Sequence, residues 1–184
     1  MSAIRGKDTK PEIVVRKYLW SHGFRYRLNS SRLPGKPDIV LSKYRTCVFV
    51  NGCFWHGHGI STTEVVSDAR NANGTFMPAF PDLQNSECCK IPKTNRVFWV
   101  KKMMRNKERD IEVKQKLAKM GWHSMTIWEC ELKSSRRNAT LESLVYTLNK
   151  IFLQDRSVRK YEHSEDDEYR MVAETSDTEY GKRK

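Results

Sequence analysis

Cys47-Val-Phe-Val-Asn-Gly-Cys-Phe-Trp-His-Gly-His58 is the stretch on which the reading of this chain turns. Cys47 to Val50 is a short apolar run of strand character. It is followed at once by a cysteine, two histidines in alternation and a Phe-Trp pair, side chains with little to contribute to a core. A strand that ends in such chemistry delivers a site. Cys53 and His58 form half of a candidate zinc site, His56 is left for chemistry, and Phe54-Trp55 could stack on a base. Tetrahedral zinc needs two more soft or borderline donors. Cys88, Cys89 and Cys130 are the thiols available, because Cys47 lies mid-strand and reads as a small buried hydrophobe. Cys130 follows the Ile127-Trp-Glu strand end and can lie beside the end of the Cys47 strand. One of Cys88 and Cys89 would then clip the intervening segment back onto the sheet. The spacing matches no standard zinc finger, and incidental buried thiols are the competing reading.

Outward from this stretch the periodicities alternate between strand and helix. Thr9-Lys-Pro-Glu12 is a capping box with Pro11 in the first turn, ahead of apolar residues from Ile13 to Trp20 and a stop at Gly23. Phe24 to Leu28 alternates like a strand, Leu33 to Asp38 is a turn, and Ile39-Val-Leu41 is a short strand joined through Lys43–Thr46 to Cys47–Val50. Residues 59–87 are rich in Ser, Thr, Asn, Gly and Pro without a period, as expected of a long inserted loop. A Lys- and Arg-dense helix is expected from about Asn95 to Met120, a strand over His123–Trp128, and a helix over Asn138–Leu153. The order α-β-β-β-α-β-α implies an α/β fold, a central mixed β-sheet flanked by helices. Residues 1–156 read as one domain and 157–184, with Glu165-Asp-Asp-Glu168, as a disordered charged tail.

Composition narrows the partner. The chain has 184 residues and a formal charge of +12. Residues 157–184 carry 6 Lys/Arg and 8 Asp/Glu, so the first 156 hold 28 basic against 14 acidic residues, a surplus of +14. Such a surplus suggests a polyanion, nucleic acid foremost. A merely soluble basic protein is the bland alternative. No signal peptide or apolar run of membrane-spanning length is present, so an intracellular, non-membrane protein is expected. Five cysteines in a reducing compartment favour metal ligation over disulfides.

Asp38 stands at the start of a strand, close in the hairpin to the end of the next one. A carboxylate so placed can hold Mg²⁺ together with a backbone carbonyl, waters and substrate phosphate. Pro37-Asp38 as simple turn punctuation is the alternative. Nucleases on an α-β-β-β scaffold usually carry Glu-x-Lys on the second strand, and here that strand reads Val50-Asn51-Gly52. His56 is then the candidate to activate water, against a purely structural histidine.

Together these residues resemble one family, the very short patch repair endonucleases, which nick DNA at T:G mismatches. The resemblance is colinear from Met1 to about Phe152. It runs through Met1–Glu12, Leu33–Asp38, Gly52–His58, Pro92–Asn95, Phe98-Trp99, Lys107–Asp110 and Trp128-Glu-Cys130. It implies a restriction-endonuclease-like fold with a structural zinc on Cys53, His58, Cys130 and one of Cys88/Cys89. It further implies catalytic Mg²⁺ on Asp38 and the carbonyl of Val50, His56 as general base, Glu12 orienting its imidazole, and Asp110 as an additional active-site acid. Phe54, Trp55 and Trp99 resemble the aromatic wedge that enters the duplex beside the mismatch, and Met1 aligns with a family methionine that follows an N-terminal arm. The implied partner is double-stranded DNA carrying a T:G mismatch, bound by a monomer in the cytoplasm or nucleoid, with mismatch-repair proteins as further candidates.

The chain departs from the family at Asn51, where a second active-site histidine can stand, and in the length of the 59–87 insertion. Two other readings remain at this stage: a catalytically degenerate zinc module that only binds distorted DNA, and a relative serving restriction or a mobile element. Intact Asp38, His56, Glu12 and Asp110 favour the enzyme.

Overall fold

The computed structural model describes residues 8–60, 62–63, 82–83 and 86–156. Helix α1 spans Lys10–Ser21, with Pro11 in its first turn. The Glu12 carboxylate reaches back to the Thr9 N–H and hydroxyl, at 3.4 and 2.8 Å, which satisfies a donor that a helix start leaves open. The helix stops where the sequence places Gly23, which adopts φ +81°. The Phe24 N–H then closes on the Leu19 carbonyl and the Gly23 N–H on the Trp20 carbonyl.

That stop shortens the next element. The strand expected over Phe24–Leu28 is only β1, Arg27–Leu28. Phe24 is committed to the helix end and buried against the Tyr44 ring at 5.1 Å, while the Tyr26 hydroxyl donates to the Arg16 carbonyl. Two residues remain for the ladder.

Strands β2 (Ile39–Leu41) and β3 (Thr46–Asn51) follow as read, joined by a tight 3-10 turn over Ser42–Tyr44 and Arg45 at φ 44°. Of the inserted segment, Thr62–Thr63 (β4) and Asp82–Leu83 (β5) pair antiparallel; residues 61, 64–81 and 84–85 lie outside the described residues. Helix α2 runs Arg96–Lys119 and β6 His123–Trp128. Arg45 ties these together: its guanidinium donates to the carbonyls of Gly121 and Met120, at 2.9 and 3.0 Å, and its own carbonyl accepts from His123. A cation on the last carbonyls of a helix is favourable, and here it delivers the chain into β6.

The sheet order is β1-β2-β3-β6, with β1, β2 and β3 antiparallel and β6 parallel to β3. The mixed α/β architecture read from the sequence is the one observed. A parallel neighbour requires a long crossover, and α2 supplies it. Since alternate residues share a face, the register puts Val40, Cys47, Phe49, Ser124 and Thr126 on one side of the sheet. Leu117 and Val113 of α2 pack there with Val40, Cys47 and Phe49. Burial drives the Cys47 thiol up to about 12, so it stays neutral, as a core residue should.

The chain divides into two compact units, Met1–Leu141 and Glu142–Lys184. The division falls inside a last helix over residues 137–156. Within the second unit Leu144 and Leu148 are buried and share a helix face. Among the described residues no helix is long and apolar enough to cross a membrane.

Candidate active site and metal cluster

The cleft lies where α2 passes over the carboxyl ends of the parallel strands β3 and β6, a common place for sites in α/β sheets. Its volume is about 1230 Å³, and Glu12, Asp38, Asn51, Trp55, His56 and Asp110 are on its walls. Asp38 immediately precedes β2, and its Oδ2 accepts a hydrogen bond from the Val50 N–H of the neighbouring strand at 2.8 Å. Burial raises the Asp38 pKa, offset in part by that N–H; Glu12 adds to the rise, while Arg16 and His56 oppose it. A desolvated carboxylate that lacks full compensation is a group that gains from a cation.

His56 comes from the turn after β3, and its imidazole Nδ1 lies 2.5 Å from the Asp110 Oδ2 on α2. The side chains are 19 % and 26 % exposed, so the pair is shielded but open to the cleft. Glu12 also reaches the cleft, but its hydrogen bonds go elsewhere: to Thr9, to the Asp8 N–H and, at 2.6 Å, to the Arg16 guanidinium, which also pairs with Asp8. The partner of His56 is thus Asp110, whereas the family resemblance implies Glu12. Glu12 keeps the capping role that its sequence position announces.

Helix α2 holds the site turn in place. Asn106 donates to the Trp55 carbonyl at 2.7 Å, and the Lys107 ammonium to the Ile60 carbonyl at 2.6 Å. Trp99, Asp110 and Val113 recur at helical spacing and line the cleft, so one stripe of α2 carries its wall, with Asn106 on the same stripe holding the Trp55 carbonyl.

Beside the cleft four donors converge. The Sγ atoms of Cys53, Cys88 and Cys130 and a ring nitrogen of His58 all lie within 4.8 Å of one another. The His58 Nδ1 faces the three sulfurs, 3.8 Å from Cys53, 3.2 Å from Cys88 and 3.3 Å from Cys130. The register explains how residues so far apart in sequence meet. Asn51 pairs with Trp128 across the parallel strands, so Cys53 and Cys130 each stand two residues past matched strand ends. The His58 ring stacks on Trp128 at 4.0 Å and 10°, which fixes its direction. Ser86 secures the fourth donor, its hydroxyl donating to the His58 carbonyl at 2.6 Å and accepting from the Cys89 N–H. Burial raises the Cys88 thiol, but hydrogen bonds from Ser86 and the neighbouring cysteines outweigh it, and the net shift is downward. Cys89 is not in the group: it is buried among Ile60, Ile91, Val100 and Met103. Three sulfurs and one imidazole so arranged could hold a tetrahedral metal ion.

A third group is aromatic. Phe54, Trp55, Phe98 and Trp99 form a chain of edge-on rings with centroids 5.0–6.1 Å apart. Phe54 and Trp99 rest on the buried Ile60–Met103 cluster, while Trp55 and Phe98 are 36 % and 55 % exposed. The Lys102 ammonium lies 5.2–5.6 Å from the Trp55, Trp99 and Phe98 rings.

A strand-end carboxylate, a His–Asp pair and an exposed aromatic ledge in a basic protein agree with what known proteins show. The family model for the DNA mismatch endonuclease Vsr matches residues 1–62. The type II nicking enzyme V.NmeAIP of Neisseria meningitidis is 43 % identical over 134 residues, covering 73 % of this chain and 77 % of that protein. This chain belongs to the Vsr family. The type II nicking enzyme V.XorIIP of Xanthomonas oryzae pv. oryzae is 36 % identical over 132 residues, 72 % of this chain and 78 % of that protein. The DNA mismatch endonuclease Vsr of Escherichia coli is 31 % identical over 148 residues, 80 % of this chain and 78 % of its own length. Membership makes the Vsr-family chain an endodeoxyribonuclease, with DNA as substrate.

Of the residues singled out from the sequence, Glu12, Asp38, Val50, Trp55, His56, Trp99 and Asp110 all line the one cleft. Cys53, His58, Cys88 and Cys130 make the second cluster, and Met1 lies outside the described residues. Phe98, a ring of the ledge, and Lys102, Asn106 and Lys107, which support it, are site residues to which the sequence alone assigns no role. Their spacing at i, i+4 and i+8 from Phe98, with Lys107 next to Asn106, is the signal that could have found them.

Proposed function

We propose that this chain makes a Mg²⁺-dependent single-strand nick in duplex DNA, 5′ to the T of a T:G mismatch, in very short patch repair. It acts as an intracellular monomer. The observation that carries the reading is the meeting, in one cleft, of Asp38 bonded to the Val50 N–H and of His56 bonded to Asp110.

The residues fit the roles. An extended residue turns its N–H and C=O to the same neighbour. Since the Val50 N–H meets Asp38, the Val50 carbonyl faces the same gap beyond the start of β2. A carboxylate and a carbonyl are the hard oxygen donors that Mg²⁺ takes. When bound there, Mg²⁺ would neutralise charge on the phosphate undergoing attack. His56 donates from Nδ1–H to Asp110, which leaves Nε2 free to take the proton of the attacking water. Asp110 holds the ring and stabilises the imidazolium that results. Asn51, also on the cleft wall, is a neutral amide. It can donate a hydrogen bond to a phosphate oxygen but cannot give up a proton, so the leaving oxygen takes its proton from water.

Zinc is the ion we assign to the cluster. Bond lengths of about 2.3 Å to sulfur and about 2.0 Å to nitrogen put tetrahedral S···N separations near 3.5 Å. The His58 Nδ1 distances of 3.2–3.8 Å bracket that figure. Four protein donors leave no open position, as in a structural site, so this ion would fasten the turn after β3 to the turn after β6. The ring ledge supports insertion at a mispaired step, where unstacking costs least. The relatives' names, nicking enzyme and mismatch endonuclease, support a cut in one strand.

The test is a strand-labelled T:G duplex incubated with protein and Mg²⁺ beside its matched T:A counterpart. A single nick 5′ to the mispaired T, lost in Asp38→Ala and in His56→Ala, is expected. Mismatch-dependent binding without any cleavage in Mg²⁺ or Mn²⁺ would replace the enzyme by a binding module.

A further inference from the structure

Gly35 sits in the turn between β1 and β2, at φ +74°, and a Cβ placed on it would stand 2.4 Å from the Val113 Cγ1 of α2 and 3.3 Å from the Phe49 ring. No larger residue fits without moving the helix or the turn. Lys36 follows, itself in the left-handed region at φ 50°, where L side chains are uncommon, and its N–H closes the turn on the Leu33 carbonyl. The contact seats the turn on α2 at Val113. Its consequence is that Lys36 and Lys114, each the residue next to a contacting one, both line the cleft that holds Asp38.

Both lysines are exposed, and among the described residues neither side-chain ammonium has a hydrogen-bond or ion-pair partner. Their neighbours on α2 differ: Lys116 pairs with Glu112, and Lys107 is spent on the Ile60 carbonyl. Four carboxylates, Glu12, Asp38, Asp110 and Glu129, line the same cleft; the first three bond to Arg16, the Val50 N–H and His56, and none of the four pairs with either lysine. Two exposed ammonium groups without a protein partner, placed on the wall of one cleft by the Gly35 turn and its contact with Val113, are free to take an anion from outside.

We infer that Lys36 and Lys114 form a two-lysine clamp for a backbone phosphodiester of the nicked strand, next to the one hydrolysed. The inference rests on the cleft being the DNA site. Its ligand is the phosphodiester itself, read as charge without regard to base, since ammonium groups are point donors. The clamp sets the register of the strand over Asp38 and His56.

Equilibrium binding of the T:G duplex by the full chain, without Mg²⁺ so that nothing is cut, is measured as a function of salt. Each phosphate contact contributes about 0.9 to the slope of log K against log salt, or about eightfold in affinity at 0.1 M. Lys36→Ala and Lys114→Ala should each lower the slope by about 0.9, and the double variant by no more than that, because both hold the one phosphate. Lys116→Ala should leave it unchanged. A second arm replaces single phosphates near the nick by neutral methylphosphonates. One substitution should weaken the unaltered protein about eightfold and Lys114→Ala not further. Slopes equal to the parent's, or a methylphosphonate penalty that persists in Lys114→Ala at every position, overturn the clamp while leaving the DNA site standing. Failure of the parent chain to bind the duplex at all overturns both.

Discussion

The His56–Asp110 pair yields the most discriminating prediction. Asp110→Asn keeps the shape of the side chain but removes the charge that faces His56 Nδ1 at 2.5 Å. A hydrogen bond to a charged group contributes about 1.5–3 kcal/mol. With side chains 19 % and 26 % exposed, the pair is too shielded for the near-zero value of open surface pairs. At 1.36 kcal/mol per decade, the loss in the single-turnover nicking rate is about 10- to 150-fold. His56→Ala removes the proposed base and should cost about 10²- to 10⁴-fold. Because Asp110 acts through His56, adding Asp110→Asn to His56→Ala should slow the reaction little further. Glu12→Gln is the contrast, since its carboxylate is bonded to Thr9, Asp8 and Arg16. Its effect should persist in the His56→Ala background and come with a lower melting temperature. The assay is single-turnover cleavage of a labelled T:G duplex at saturating protein. Full additivity of Asp110→Asn with His56→Ala, or non-additivity of Glu12→Gln instead, would refute the pairing.

Three further predictions concern the metal cluster, the carboxylate and the rings. Cys88→Ser should reduce bound zinc from one equivalent to well below it and lower the melting temperature, whereas Cys89→Ser should keep the metal at a cost of about 1 kcal/mol; equal zinc loss in both variants would contradict the geometry. The Asp38 pKa is raised by burial, so its ionised form is disfavoured by folding: the native state is relieved of that cost below the ordinary value of about 3.9 and carries it as pH rises through the raised pKa. In buffer without added Mg²⁺, Asp38→Asn should therefore melt higher than the parent at pH 8, with the gap closing toward pH 4, and Mg²⁺ should stabilise the parent alone. Trp55→Ala should cost about 1 kcal/mol or less in urea melts yet reduce the preference for T:G over matched DNA tenfold or more, while Trp99→Ala, resting on the buried Ile60–Met103 cluster, should cost about 3 kcal/mol as well.

What the sequence made legible is what local rules govern. The cap at Thr9, the stop at Gly23, the bounds of α2 and β6, and the chemistry gathered after Val50 follow from residues within a few positions of one another. That Cys130 could lie beside Cys53 was legible from the two strand ends, but the parallel pairing of β6 with β3 that brings them together is a matter of how the chain crosses over. The partner of His56 was not legible, because the two residues are 54 apart and join only through the way α2 crosses the sheet. Nor was the choice between Cys88 and Cys89, adjacent thiols that a single turn sends to the three-cysteine, one-histidine group and to a core. The strand expected from Phe24 was cut to two residues because a helix stop and burial against Tyr44 outcompete a ladder that only β2 could offer. Lys114 carries no local mark; its place in the cleft comes from Gly35 pressing on Val113.

The central claim is that Asp38 and His56 together cut one strand at a T:G mismatch. Cleavage of a duplex labelled on both strands, with Mg²⁺, in the parent and in His56→Ala, measures it directly. The account predicts one product, a nick 5′ to the mispaired T, absent from matched DNA and reduced at least 10²-fold in the variant. Undiminished nicking by His56→Ala, or equal cutting of matched and mismatched DNA, would contradict it.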